Sequence, residues 1–166
     1  MKPAEVSTPS DREVLVKRSF DAPVNLVWQA YTDPALMRRW LTAMPGWSMP
    51  VCEMATHVGG KYRWRWRDEN GQEFGFTGEM LELALHSKIV HTQIYDPGDC
   101  AFGSMGGEPS IITVTFNETN GITNVATSIK YASQADRDAA FSTGMTDGME
   151  MNYKRLDEVL VAEART

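Results

Sequence analysis

Three histidines, His57, His86 and His91, are the side chains best suited to hold a metal, pass a proton or orient a polar substrate near neutral pH. None stands at the His-x3-His or HExxH spacing that sets two ligands on one helical face. If Ser87-Lys88 makes a turn, His86 and His91 approach one another across a hairpin, yet two histidines without a third placed ligand do not make a zinc site, so no metal is expected. His91 is expected instead as a polar group of a ligand pocket, a neutral imidazole that orients a carbonyl or phenol and titrates in the physiological range. Glu79 and Glu82, three apart on one strand, point to opposite faces and cannot work as an acid and base pair across a substrate. Glu53 and Glu73 are the carboxylates left free to turn inward. The run Gly103-Ser104-Met105-Gly106-Gly107 lacks the lysine and following helix of a phosphate loop, and no nucleophile elbow occurs. Cys52 and Cys100 form no CxxC pair and read as reduced, unpaired thiols. These residues assemble no catalytic constellation, and no cofactor is implied.

The feature that does point to a site is Lys61-Tyr62-Arg63-Trp64-Arg65-Trp66-Arg67. A strand period of two sends Tyr62, Trp64 and Trp66 to one face and the four cations to the other. Three rings are more apolar surface than one strand hides, so another element must cover them. Trp40, Tyr62, Trp64, Trp66, Phe76 and His91, with Met145 and Met149, are the expected lining of an apolar pocket. The competing expectation for the same residues is a solid core, which is what aromatic and methionine stripes more often form.

The elements that must position these groups follow from pattern. Residues 1–11 read as a flexible leader without an apolar signal region, and residues 12–166 as a single domain. Glu13 to Phe20 is a strand; Val24 to Thr32 and Ala35 to Leu41 are two short helices divided by Asp33-Pro34. Strands are expected over Met49 to Val58, Tyr62 to Arg67, Glu73 to Leu85, Ile89 to Tyr95, Ile111 to Phe116 and Ile122 to Tyr131, with hairpin turns at Asn70-Gly71 and Asn120-Gly121. The segment from Asp96 to Pro109 has no periodicity and could act as a flap. One long helix is expected from Ser133, with Phe141, Met145, Met149, Asn152, Leu156, Val159 and Leu160 facing the sheet. Gly144 and Gly148, one turn apart within it, suggest close backbone approach, a kink, or room for a guest.

With 166 residues, 42% hydrophobic and 23% charged, the chain suits one globular domain, and no apolar run approaches the ~20 residues of a membrane span. A net charge of -6 opposes nucleic-acid binding, and the period separates the rings of the aromatic strand from its cations, whereas stacking with phosphate contact wants them side by side. Cytoplasmic residence as a monomer or homodimer is the default expectation.

Phe20-Asp21-Ala22-Pro23 with Val27-Trp28, Thr32-Asp33-Pro34, Leu36 and Trp40, then Val58-Gly59-Gly60-Lys61 with Arg67-Asp68 and Gly71, form one set of motifs. Gly78-Glu79, Lys88-Ile89-Val90, Thr92, and Gly144-Met145 through Gly148 with Leu156 and Leu160 complete it. Together these resemble the START-like (SRPBCC) helix-grip superfamily, and within it the group similar to the C-terminal domain of activators of the heat-shock-protein ATPase. The likeness runs from Glu13 to Glu163. It implies an α+β fold in which a seven-stranded antiparallel sheet, with two short helices after strand 1, wraps a long C-terminal helix and leaves a cavity between them. The resemblance does not name the ligand; the segregated aromatic strand and the glycine-notched helix point to a hydrophobic or aromatic small molecule, and the alternatives are a heat-shock chaperone as partner, or cyclase- or hydratase-like chemistry in the same cavity. That group commonly carries tryptophan directly after the second glycine of the helix, where this chain has the thinner Met149.

Overall fold

A computed structural model describes residues 1–96 and 108–165. Among these described residues eight strands form one antiparallel sheet: β1 (Glu5–Ser7), β2 (Glu13–Phe20), β3 (Ser48–Met54), β4 (Lys61–Arg67), β5 (Glu73–Ala84), β6 (Lys88–Asp96), β7 (Ser110–Thr119) and β8 (Ile122–Lys130). Their order across the sheet is β1-β2-β8-β7-β6-β5-β4-β3. Helices α1 (Val24–Thr32) and α2 (Pro34–Trp40) follow β2, and α3 (Gln134–Phe141) and α4 (Met145–Ala164) close the chain. The described residues thus have one strand more than the seven expected. The extra one comes from the leader, where Val6 pairs with Val16 on the open edge of β2 and the Ala4 amide donates to Glu150 Oε1 at 2.9 Å. Three exposed residues carry no alternation from which that strand could be read.

Local chemistry sets the joints. Asp33 accepts from the Ala35 amide at 2.9 Å and Pro34 opens α2, so the helix pair bends where sequence and capping rules require it. Trp40 Nε1 donates to the Ala30 carbonyl at 2.8 Å, locking α2 onto α1. Between β4 and β5, Asp68 Oδ1 accepts from the Asn70 and Gln72 amides, both at 2.9 Å, and Gly71 takes φ +81°. Asn120 and Gly121 both have positive φ, the type I′ geometry whose twist matches its flanking strands. Within β5, a Cβ on Gly75 would strike the Trp64 carbonyl and one on Gly78 the Thr92 carbonyl. Those two glycines let β4 and β6 close tightly on β5, at the part of the sheet that carries the aromatic strand.

The helical end of the chain departs from one continuous rod. Ser133 Oγ accepts from the Asp136 amide at 3.1 Å to start α3, but the helix stops at Phe141 and restarts after Gly144, which sits in the left-handed region at φ +79°. Phe141, expected against the sheet, is exposed at the end of α3 because the break rotates it out of the stripe. From there Tyr153, Leu156, Val159 and Leu160 are buried at helical spacing and join Val14, Val16 and Phe20 of β2 in the core. Arg18 occupies the same inward parity on β2. Its guanidinium donates to both Asp157 oxygens, at 2.8 and 2.9 Å, and lies 3.3 Å from Glu150 Oε1, fastening α4 to the sheet.

The cation face of β4 is not uniformly solvated as its pattern suggests. Arg65 is buried, its Nε donating to Glu73 Oε1 at 2.9 Å and its Nη1 to Asp96 Oδ2 at 2.6 Å. Register explains it: Glu73 lies opposite Arg67 and Asp96 opposite Gly75, so the adjoining strands bring two carboxylates over Arg65. The two arginines, through their hydrogen bonds, hold the Glu73 carboxyl below its ordinary range.

Candidate functional site

Between α4, α2 and the inner face of the sheet lies a cavity of about 340 Å³. Trp64 and Trp66 reach it from β4, Phe74 and Phe76 from β5, Ile89, His91 and Gln93 from β6, and Ile112, Val114, Thr127 and Ile129 from β7 and β8. The helices contribute Tyr31, Met37, Trp40, Met145, Gly148, Met149, Asn152 and Tyr153; the chain between α2 and β3 contributes Leu41, Met44 and Trp47, and Met54 comes from the end of β3. The rings interlock. Trp66 stacks on Phe74 at 5.3 Å and meets Phe76 edge-on at 5.8 Å, Trp64 meets Trp66 at 6.4 Å, and Trp47 closes on Phe74 at 5.2 Å. Trp66 Nε1 donates to the Leu41 carbonyl at 2.9 Å, so this wall also ties β4 to the end of α2. Exposed Met44 marks the outer rim.

His91 is the imidazole of this lining. Its Nδ1 lies 2.9 Å from the Thr92 carbonyl and 3.1 Å from Tyr62 Oη, and Tyr62 itself donates to the same carbonyl at 2.7 Å. A hydrogen on Nδ1 satisfies the carbonyl, which leaves Nε2 as the ring's acceptor. Burial pushes the His91 pKa down to about 4, against a raising contribution from the Thr92 carbonyl, so the ring is neutral at physiological pH rather than titrating there. His86 is elsewhere: it occupies the β5–β6 turn at φ +62° and packs edge-on against Trp28 at 6.0 Å. His91 pairs across the strands with Met80, so the two imidazoles do not form a couple. Among the described residues no group of three or more His, Cys, Asp or Glu is placed to hold a metal ion.

Seven of the eight residues expected to line the pocket do border the cavity: Trp40, Trp64, Trp66, Phe76, His91, Met145 and Met149. Tyr62 does not. It is buried behind them, its ring 4.6 Å from Trp64 and 4.8 Å from His91, where it supports both. Sequence reasoning missed Tyr31, Trp47, Phe74 and Tyr153. Phe74 shares the parity of Phe76, and Tyr153 lies four residues beyond Met149 on the same helical stripe, so both signals were present. Trp47 lies outside any periodic element. A Cβ on Gly148 would meet nothing within 4 Å, so this glycine widens the cavity, whereas Gly144 serves the backbone turn.

Trp64 Nε1 is buried in the wall and has no hydrogen-bond partner among the described residues, whereas the buried Tyr31 hydroxyl interacts with that of Tyr153. Burial raises the Tyr31 hydroxyl well above its ordinary range and the Tyr153 hydroxyl to about 12. Cys52 packs beneath the site with Met37 and Met49, its thiol pushed up to about 11 by burial, which makes it a packing group and not a nucleophile. The flap expected between Asp96 and Pro109 lies largely outside the described residues.

Comparison with known proteins places this geometry. A protein of Rhodobacter sphaeroides of known structure is 29% identical, with a TM-score of 0.88 over 97% of this chain and 99% of that one. Protein NE0264 of Nitrosomonas europaea is 22% identical, with a TM-score of 0.81 over 96% of this chain and 100% of that one, and protein Ms6760 of Mycobacterium smegmatis is 20% identical, with a TM-score of 0.81 over 95% and 97%. These two likenesses are of fold. No curated protein matches the chain. Residues 21–161 match the model of the family described as Activator of Hsp90 ATPase homolog 1-like protein, which spans both helices of the grip, the aromatic strand and the cavity-lining part of α4. The α+β helix-grip fold and this match agree, and the chain belongs to the Activator of Hsp90 ATPase homolog 1-like family.

Proposed function

We propose that the protein binds a hydrophobic, aromatic small molecule in the cavity between α4 and the sheet. The observation that carries the reading is an aromatic-lined hollow kept open by a helical glycine whose missing side chain faces no neighbour. Its volume of about 340 Å³ falls at the small end of the ~300–1,000 Å³ typical of small-molecule sites, with the same mix of apolar walls and a few polar groups. Four of the five tryptophans border it, so a flat conjugated ligand finds stacking and edge-on partners on several sides.

A thermal-shift panel of uncharged polycyclic aromatics tests this. A ligand at a hundredfold excess over its Kd adds roughly 2.7 kcal/mol, or roughly 5–10 °C in Tm for a chain of this size. The rise is expected for the natural chain and not for Gly148→Phe, whose ring would occupy the hollow. Equal shifts in both, or none across the panel, would refute the reading.

A further inference from the structure

No Lys, Arg, Asp or Glu borders the cavity among the described residues. Residues 97–107 bring Asp99 but no Lys, Arg or His, so that segment can supply no cation either. The field of Arg18 is felt at Tyr31 and Tyr153, but both Asp157 oxygens and Glu150 already claim its guanidinium. A carboxylate entering this space would lose its hydration and meet no countercharge, a penalty that amounts to several kcal/mol per buried ion.

What the wall does offer is unpaired hydrogen-bonding capacity. Among the described residues the Trp64 N–H is buried without a partner, and a buried orphan donor is destabilising until an acceptor arrives. His91, with Nδ1 turned to the Thr92 carbonyl, adds an acceptor and no charge.

Resting on the ligand-binding reading above, we propose that the cavity selects an uncharged, planar ligand bearing a carbonyl-type oxygen, which accepts from the Trp64 N–H, and that it rejects carboxylates of the same shape. This separates aromatic ketones, esters and lactones from fatty and aromatic acids.

Three probes of one shape make the test: methyl naphthoate, naphthoate and propylnaphthalene, titrated calorimetrically near neutral pH into the natural chain and into Trp64→Phe. The ester is expected to bind at least about tenfold tighter than the anion. It is also expected to bind several-fold tighter than the hydrocarbon, and Trp64→Phe, which weakens apolar contact with both probes, is expected to reduce that ratio. Naphthoate binding as tightly as its ester would overturn charge selection. Ester and hydrocarbon binding alike, or a ratio that Trp64→Phe leaves unaltered, would overturn the acceptor requirement. Failure of all three probes would remove the ligand-binding reading itself and this inference with it.

Discussion

Gly144 and Gly148 stand one turn apart, and a Cβ built on either meets nothing within 4 Å, yet alanine at the two positions should act in opposite directions. Gly148 lies inside α4 with ordinary helical backbone, so Gly148→Ala gains the helix preference of about 1 kcal/mol and stiffens the unfolded chain without a clash. For a chain of this size that is a rise of roughly 2–4 °C in Tm. Gly144 holds φ +79° as the residue that divides α3 from α4. A Cβ in the left-handed region costs about 1–2 kcal/mol, more than the unfolded-state gain returns, so Gly144→Ala should lower Tm by a few degrees. Urea melts of both variants, alongside the natural chain and analysed at common slope, give the two signs in one experiment. If Gly148→Ala destabilises, its methyl meets atoms and the space beside α4 is filled; if both variants stabilise, the break at Gly144 is not held by its backbone conformation. Either result would refute the assignment of one glycine to the turn and the other to the hollow.

Two further perturbations test the supports of the site. Arg18→Met removes the cation that fastens α4 to β2 and leaves Glu150 and Asp157 facing one another; because both carboxylates keep some contact with water, the loss should be about 3 kcal/mol, read by urea unfolding. His91 supplies a pH dependence. Its folded pKa of about 4 lies below the unfolded value, so the unfolded chain binds the proton first; the full stability is present above about pH 6.5 and is lost as pH falls toward 4, at about 1.4 kcal/mol per unit. His91→Gln should flatten that slope between pH 6.5 and 4.5, and an unchanged slope would place the titrating group elsewhere.

The fold was legible wherever a period or a turn signal ran through the sequence. The aromatic parity of β4, the Asn70-Gly71 and Asn120-Gly121 hairpins and the Asp33-Pro34 joint all follow from local rules that tertiary packing does not override. What escaped had its cause at long range. Strand β1 exists because β2 presents an open edge and Glu150 captures the Ala4 amide, neither of which Glu5–Ser7 encodes. Arg65 is buried because two carboxylates from the adjoining strands arrive over it. The depression of His91 comes from its enclosure, which no spacing records. The site divides the same way: rings on regular elements could be found by parity, while Trp47 reaches the cavity from a connecting segment whose path only the assembled fold determines.

The indole N–H resonances of the five tryptophans offer the most direct test of the central claim, followed by NMR as methyl naphthoate is added. Trp64, whose N–H has no partner among the described residues, should shift most; Trp40, Trp47 and Trp66, which border the same hollow, should move less; and Trp28, packed against His86 and Phe116 outside it, should stay in place. A shift centred on Trp28, or five unmoved resonances at saturating probe, would contradict the account.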